Sequence, residues 1–360
     1  MKELKRVLIM AGGTGGHVFP GLAVAHALRE KGIEVHWLGT SQGLEARLVP
    51  EAGIPLHLIT ISGLRGKGIK PLLMAPAKIS TAILQSKRII QQIQPDIVIG
   101  MGGFVSGPGG VASWLRRCPL IIHEQNAKAG LTNKLLSSLA KKVLEGFPGA
   151  FASKPKVIAI GNPVRSNIEH LPSPHTRLDP SRSPFRLLIL GGSLGAQALN
   201  EIVPQALAQL PPDERPEILH QTGNKNFEAT QKRYESLGIQ ATLTPFIDDM
   251  AKAYAFADMV LCRAGALTVA ELCAVGLGAI LVPFPHAVDD HQTANAQFMV
   301  KQHAALCIQQ SALTPDRLAD IVRQFSKAPA ERIAMAQAAY QLRQGQVAER
   351  IVEICREVCR

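Results

Sequence analysis

Arg6-Val7-Leu8-Ile9-Met10-Ala11-Gly12-Gly13-Thr14-Gly15-Gly16 recurs, less perfectly, as Arg186-Leu187-Leu188-Ile189-Leu190-Gly191-Gly192-Ser193-Leu194-Gly195. Each copy is an unbroken apolar run, a Gly-Gly-hydroxyl-x-Gly loop and a helix-like stretch. Unbroken apolar strands suit a parallel sheet covered on both faces, whereas a sheet with one wet face alternates. Outward from the first copy, 20–31 reads as helix, 34–38 as strand and 44–52 as helix, with strands at 96–99 and 120–123. Beyond the second copy, strands follow at 217–221, 258–262 and 278–283, with helices at 197–209 and 267–275. This alternation predicts an α/β chain of two Rossmann-like, doubly wound domains facing a central cleft. The polar stretch 171–184 holds four prolines and reads as a linker. Val347, Ile351, Ile354 and Val358 share one face of a final helix.

Bulk properties narrow the function. A chain of 360 residues suits two domains, and 46% hydrophobic with 19% charged residues is globular rather than disordered. The formal charge of +11 favours acidic partners: phosphates, nucleic acid or an anionic membrane. Aromatic residues are only 4%, which supplies stacking platforms for single-stranded nucleic acid poorly. Six cysteines without CxxC spacing read as reduced structural thiols, so no zinc site is expected. Lys2, Lys5 and Arg6 ahead of Val7–Met10 imitate a signal peptide, but that apolar run is short and enters the glycine loop, as a first strand does. No apolar run reaches membrane-spanning length.

The glycine loop at 12–16 lets backbone N–H groups at a helix start approach phosphate. It is neither the dinucleotide fingerprint, whose last glycine would fall at Val18, nor a P-loop, since no Gly-Lys-Ser/Thr follows. A tight turn is the plain alternative; two such loops plus the glycine-rich 102–110 segment favour phosphate. His17 is placed either to act as a general base or to make a structural hydrogen bond. His123-Glu124-Gln125-Asn126 ends an apolar strand, where open α/β sheets bind ligands. Arg165, in Gly161-Asn162-Pro163-Val164-Arg165, could grip a diphosphate or simply be solvated. Thr268 and Glu271 have capping-box spacing, so Glu271 either satisfies backbone donors or accepts from a ribose diol. Asp289-Asp290-His291-Gln292 is densely polar, yet no second cluster supports a metal, and the absence of Asp-x-Asp argues against a divalent cation on a diphosphate. Arg65, Lys67 and Lys70 precede Leu72-Leu73-Met74, with Ile79 and Ile83 next and Lys87 and Arg88 after them. That pattern fits either an anionic bilayer or a core-facing helix with a basic outer face.

Gly12 to Gly21, Ile61 to Lys67, Gly102 to Pro108, His123 to Asn126, Gly161 to Arg165, Gly191 to Ser193 and Ala266 to Glu271 together resemble the MurG family of bacterial cell-wall glycosyltransferases, in the same order from about residue 6 to about residue 300. The resemblance implies a GT-B fold: an N-terminal acceptor and membrane-associating domain over 1–163 plus 343–360, and a UDP-GlcNAc domain over 164–342. It implies inverting transfer of GlcNAc from UDP-GlcNAc to the 4-hydroxyl of MurNAc in lipid I, forming lipid II with no metal and no cofactor. Thr14, Gly15, Gly16, Asn126, Arg165, Ser193, Ile247, Ala266, Leu267, Thr268, Val269, Ala270, Glu271 and Gln292 would contact the donor. Gly13, Gly103 and Ser106 would receive the acceptor diphosphate, and His17 would deprotonate the acceptor hydroxyl. Phe104 and Leu194 depart from the family's usual residues, so neither side chain offers a hydrogen bond there. An anionic membrane surface on the cytoplasmic side of the bacterial inner membrane, together with cell-wall synthesis and division proteins, would be the partners, and nucleic acid would not. Two rivals stay open: another GT-B enzyme such as a UDP-GlcNAc epimerase, and a non-catalytic, membrane-docked nucleotide-sugar sensor.

Overall fold

The apolar runs become the inner strands of two all-parallel sheets in a computed structural model, which describes residues 3–61, 75–192 and 195–359, without the side chain of Val288. The chain divides into unit 1, Met1–Arg165 with Gln346–Arg360, and unit 2, Ser166–Gly345. The first division falls after Arg165, two residues beyond the 163/164 boundary read from the sequence, so Arg165 belongs to unit 1.

Unit 1 contains β1 (Arg6–Met10), β2 (Glu34–Gly39), β3 (Leu56–Leu58), β4 (Ile97–Gly100), β5 (Leu120–Glu124), β6 (Lys142–Glu145) and β7 (Val157–Ala159). They lie in the order β3-β2-β1-β4-β5-β6-β7. Unit 2 contains β8 (Arg186–Leu190), β9 (Glu217–Gln221), β10 (Thr242–Thr244), β11 (Met259–Cys262), β12 (Gly278–Leu281) and β13 (Ala305–Cys307), ordered β10-β9-β8-β11-β12-β13. Each sheet therefore reverses direction beside its first strand, between β1 and β4 and between β8 and β11. At such a switch the connections leave on opposite faces and open a crevice at the carboxyl ends of the strands. Both glycine loops leave the sheet there.

Two expectations change. Helix Gly15–Glu30 starts five residues before the predicted Pro20, with Thr14 as its N-cap and Pro20 inside it. Proline lacks the N–H that would bond the Gly16 carbonyl, so the helix forgoes that bond in its second turn. His17 thus stands in the first turn of a helix rather than in a loop. The stretch 171–184 is also no linker. The Arg177 guanidinium donates to the carbonyls of Tyr254, Ala257, Val275 and Gly276 at 2.9–3.3 Å, which closes the ends of two helices. Arg182 pairs with Asp258 at 3.1 Å, which fixes the segment to unit 2.

Helix Val347–Cys359 lays Val347, Ile351, Val352 and Cys355 into the core of unit 1, against Val24, Ala25 and Leu28 of helix Gly15–Glu30. Ile354 and Val358 pack at the edge of the same cluster.

Candidate active site

At the β1/β4 switch of unit 1 the 12–16 loop touches the 102–106 loop. Gly103 has φ +82°, and a Cβ there would collide with the Gly12 carbonyl oxygen. Only glycine permits both the backbone and the approach. The loops in turn frame His17. Its Nδ1 lies 3.1 Å from the Met101 carbonyl oxygen and 3.1 Å from Gln125 Oε1. The Gln125 amide nitrogen donates to the same Met101 carbonyl at 2.7 Å, and Gln125 is buried at the end of β5. Among the described residues, His17 Nε2 has no hydrogen-bond partner. The imidazole is half-buried, and Thr14 and Gly16 beside it are exposed.

Neighbouring predicted residues fall into place unevenly. Arg165 sits with its guanidinium 5.4 Å from the Phe19 ring centre. Phe19 packs on Gly15, where an added Cβ would meet its ring at 2.9 Å, so the cation stands beside the helix start. Asn126 is held to Glu124 by its main-chain and side-chain nitrogens at 3.0 and 3.2 Å. Glu124 also accepts from Gly130 and Asn133 at 3.0 and 2.9 Å, so this buried carboxylate orders the whole loop.

Ser106 and Gly13 do not offer their polar groups to a diphosphate here. Ser106 is fully buried; it accepts from Gly102 N–H and turns its hydroxyl between the carbonyls of Gly102 and Met10 at 2.8 and 3.2 Å. It ties the 102–106 loop to β1. The Gly13 N–H donates to Glu45 Oε2 at 2.9 Å. Glu45, fully buried, also accepts from the Thr40 amide and hydroxyl at 3.0 and 2.7 Å. A phosphate at this helix start would draw instead on Thr14, Gly15, Gly16 and Arg165. The sequence reading missed Glu45 because it lies in an ordinary helical pattern, and nothing local marks it as a loop anchor.

At the β8/β11 switch of unit 2, Ser193 and Leu194 lie outside the described residues. Gly195, at φ +77°, would meet the Thr222 carbonyl if given a Cβ, so this loop too hugs its neighbour. Helix Ala266–Val275 is capped by Gly265 without any side-chain cap bond. Thr268 is three residues inside it, so the capping box is absent. Glu271 is buried and accepts from the Tyr254 hydroxyl at 2.8 Å. Tyr254 was not anticipated; its partner lies 17 residues away on another element. Val269 is fully buried, and its N–H donates to Gly265 O at 2.9 Å. Ala266 is buried at the helix start, and Leu267, Thr268 and Ala270 are half-buried.

Gln292 Oε1 accepts from Phe284 N–H at 2.9 Å, which leaves the carboxamide NH2 as its donor group. Ahead of it, Asp289 and Asp290 both take left-handed backbone angles, φ 54° and 52°. Asn295 donates to Ala264 O at 3.1 Å, and Arg263 donates to Val282 O and Pro283 O at 3.2 and 3.3 Å. These bonds bring the 263–266 loop and the Gln292 segment together at the ends of β11 and β12. Ile247 is half-buried just past β10. Among the described residues, no three His, Cys, Asp or Glu side chains cluster as a metal site would require.

Residues 7–145 match the glycosyltransferase family 28 N-terminal domain, and residues 186–351 match the family 28 C-terminal domain. A Marinobacter nauticus protein named UDP-N-acetylglucosamine--N-acetylmuramyl-(pentapeptide) pyrophosphoryl-undecaprenol N-acetylglucosamine transferase is 53% identical over 353 residues, spanning 98% of this chain and 97% of its own. A Nitrosococcus oceani protein of the same name is 54% identical over 353 residues, with 98% of each chain covered. The crystal structure of Acinetobacter baumannii MurG superposes with a TM-score of 0.83 at 43% identity, covering 98% of this chain and 99% of that one. A putative UDP-N-acetylglucosamine 2-epimerase from Listeria monocytogenes reaches a TM-score of 0.68 at 15% identity, covering 98% of this chain and 95% of that one, a likeness of fold alone.

Proposed function

The chain belongs to glycosyltransferase family 28 and has its GT-B fold, and from that premise we propose that it transfers GlcNAc from UDP-GlcNAc to the 4-hydroxyl of MurNAc in lipid I, inverting the anomeric carbon. The observation that carries this reading is the held imidazole of His17 at the β1/β4 switch. With Nδ1 turned to two carbonyl-type oxygens, Nε2 presents a lone pair to accept the proton of the acceptor hydroxyl. The new C–O bond forms as the bond from the sugar carbon to UDP breaks, and the pair leaves on the diphosphate. Glu271 and the start of helix Ala266–Val275 serve the nucleotide in unit 2. Arg165 and the start of helix Gly15–Glu30 serve a diphosphate in unit 1.

The test is direct. The purified protein, UDP-GlcNAc and lipid I in detergent should yield UDP and the disaccharide lipid. Nucleotide-sugar binding without product would leave the sensor; conversion of UDP-GlcNAc alone to its 2-epimer would favour the epimerase.

The same reading carries an anionic membrane surface, at the cytoplasmic face of the inner membrane. No helix among the described residues is long and apolar enough to cross a bilayer. Instead Leu84, Trp114, Leu131 and Leu135 are each more than half exposed on three neighbouring helices of unit 1. Cationic Arg116, Arg117 and Lys134 lie close by in sequence and are exposed. Ile79 is exposed, whereas Ile83 packs on the core, so the pair read together from the sequence divides. Residues 65–74 of that motif lie outside the described residues. Replacing Leu131 and Leu135 with Ser should weaken sedimentation with phosphatidylglycerol vesicles, and unchanged sedimentation would remove this face from membrane binding.

A further inference from the structure

The hydrogen bonds behind His17 leave one consistent assignment of donors and acceptors. The Met101 carbonyl can only accept, so the Gln125 group 2.7 Å from it is the NH2. The carboxamide oxygen is thereby turned toward His17 Nδ1, at 3.1 Å. Nδ1 then faces two acceptors, Met101 O and Gln125 Oε1, and must carry the hydrogen. Gln125 is itself immobile: it is 1% exposed, and its main-chain oxygen accepts from Asn162 Nδ2 at 3.0 Å.

We propose that Gln125 is the positioning residue of the reaction, holding His17 as the Nδ1–H tautomer so that the Nε2 lone pair faces the acceptor hydroxyl. This rests on the reading of His17 as the base. The chemistry explains why the position holds an amide. A carboxylate would fix the same tautomer but would put a buried negative charge behind a base that must work beside an anionic acceptor. An alkyl group would leave the Met101 carbonyl alone to hold Nδ1–H, with the ring freer to turn or to take its hydrogen at Nε2. The amide orients without charging. His123, the neighbouring ring, adds no charge either, since burial holds it down to about 4.

Full-length protein labelled with 15N-histidine, compared with the His17→Gln variant to identify the signal, should show His17 protonated at Nδ1 and bare at Nε2 in the neutral state. In Gln125→Met the Met101 carbonyl is left as the one acceptor behind the ring, and the Nδ1–H population should fall. The kcat should fall about tenfold, as for the loss of one positioning hydrogen bond, while KM for UDP-GlcNAc holds. In a His17→Ala background, Gln125→Met should then cost nothing more, because residues acting as one unit are not additive. If Gln125→Met keeps both the tautomer and kcat, the positioning role fails and the base stands. If His17→Ala turns over normally, the base itself fails. A further loss from Gln125→Met on top of His17→Ala would show Gln125 acting structurally, and would overturn the proposal. Retained UDP-GlcNAc binding confirms that each variant is folded.

Discussion

The two switch points are made of the same parts and carry different side chains. Each has a first strand, a glycine loop pressed on a neighbouring carbonyl and a helix starting without a side-chain cap bond, at Gly15 in one and Gln197 in the other. In unit 1 the loop leads to a half-buried imidazole with an open nitrogen. In unit 2 the corresponding stretch reaches Gln197, which has no acid–base chemistry near neutral pH, and the carboxylate in reach of the switch, Glu271, is buried under a tyrosine hydroxyl. Shared scaffolding therefore need not mean shared work: in the proposed reaction the helix starts offer amides to anions in both units, while His17 places proton transfer in unit 1.

That division can be broken in several ways. The largest effect is expected from His17→Ala, which should lower kcat by about 10²–10⁴-fold with UDP-GlcNAc affinity unchanged by calorimetry. Weakened nucleotide binding instead would merge the two roles. Next, Glu271→Gln keeps the shape and removes the charge, so UDP-GlcNAc should bind about 10–100-fold more weakly while kcat at saturation persists. Equal affinity would take the nucleotide from Glu271. The paired substitutions Gly103→Ala and Gly195→Ala should each cost about 1–3 kcal/mol in denaturant titrations, since both need a positive φ and a close carbonyl. The first should depress turnover and spare UDP-GlcNAc binding, and the second the reverse.

The last test concerns acid. Burial lowers His123 in unit 1 to about 4 and His220 in unit 2 to about 3, from 6.5. Below about pH 6.5 the unfolded chain binds protons at both sites and the folded chain does not, so stability falls with pH down to those values. Each site contributes up to about 1.4 kcal/mol per pH unit within that window. Thermal melts between pH 7 and 5 should show the loss, and His220→Asn should flatten the dependence. An unaltered slope would mean that His220 is not buried neutral.

Much of the fold was written where burial is continuous. Arg6–Met10, Arg186–Leu190 and Glu217–Gln221 were legible residue for residue, because central parallel strands have no polar face to hide in. The strands Leu56–Leu58, Thr242–Thr244 and Ala305–Cys307 were not read: three residues at or near a sheet edge make too short a run to show. Pro172, Pro174, Pro180 and Pro184 suggested a linker because proline breaks regular structure, but a side chain such as Arg177 can bind an irregular segment firmly to a domain. In the site, His17, Arg165, Glu271 and Gln292 announce themselves by residue type and place. Glu45, Gln125 and Tyr254 do not, because their roles depend on partners 17 to 32 residues away or more. Ser106 and Gly13 show the converse error. A hydroxyl and an amide in a glycine loop look available until the neighbours that occupy them are known.

The return of Val347–Cys359 to unit 1 sets an order of events at the ribosome. Domains tend to fold as units while the chain is made, at about 5–20 residues per second. All of Ser166–Gly345 emerges between the two parts of unit 1, which takes roughly 10–40 s at that pace. Throughout that interval Val24, Ala25 and Leu28 lack the helix that buries them, so the half of the enzyme that begins synthesis first is the half that finishes last.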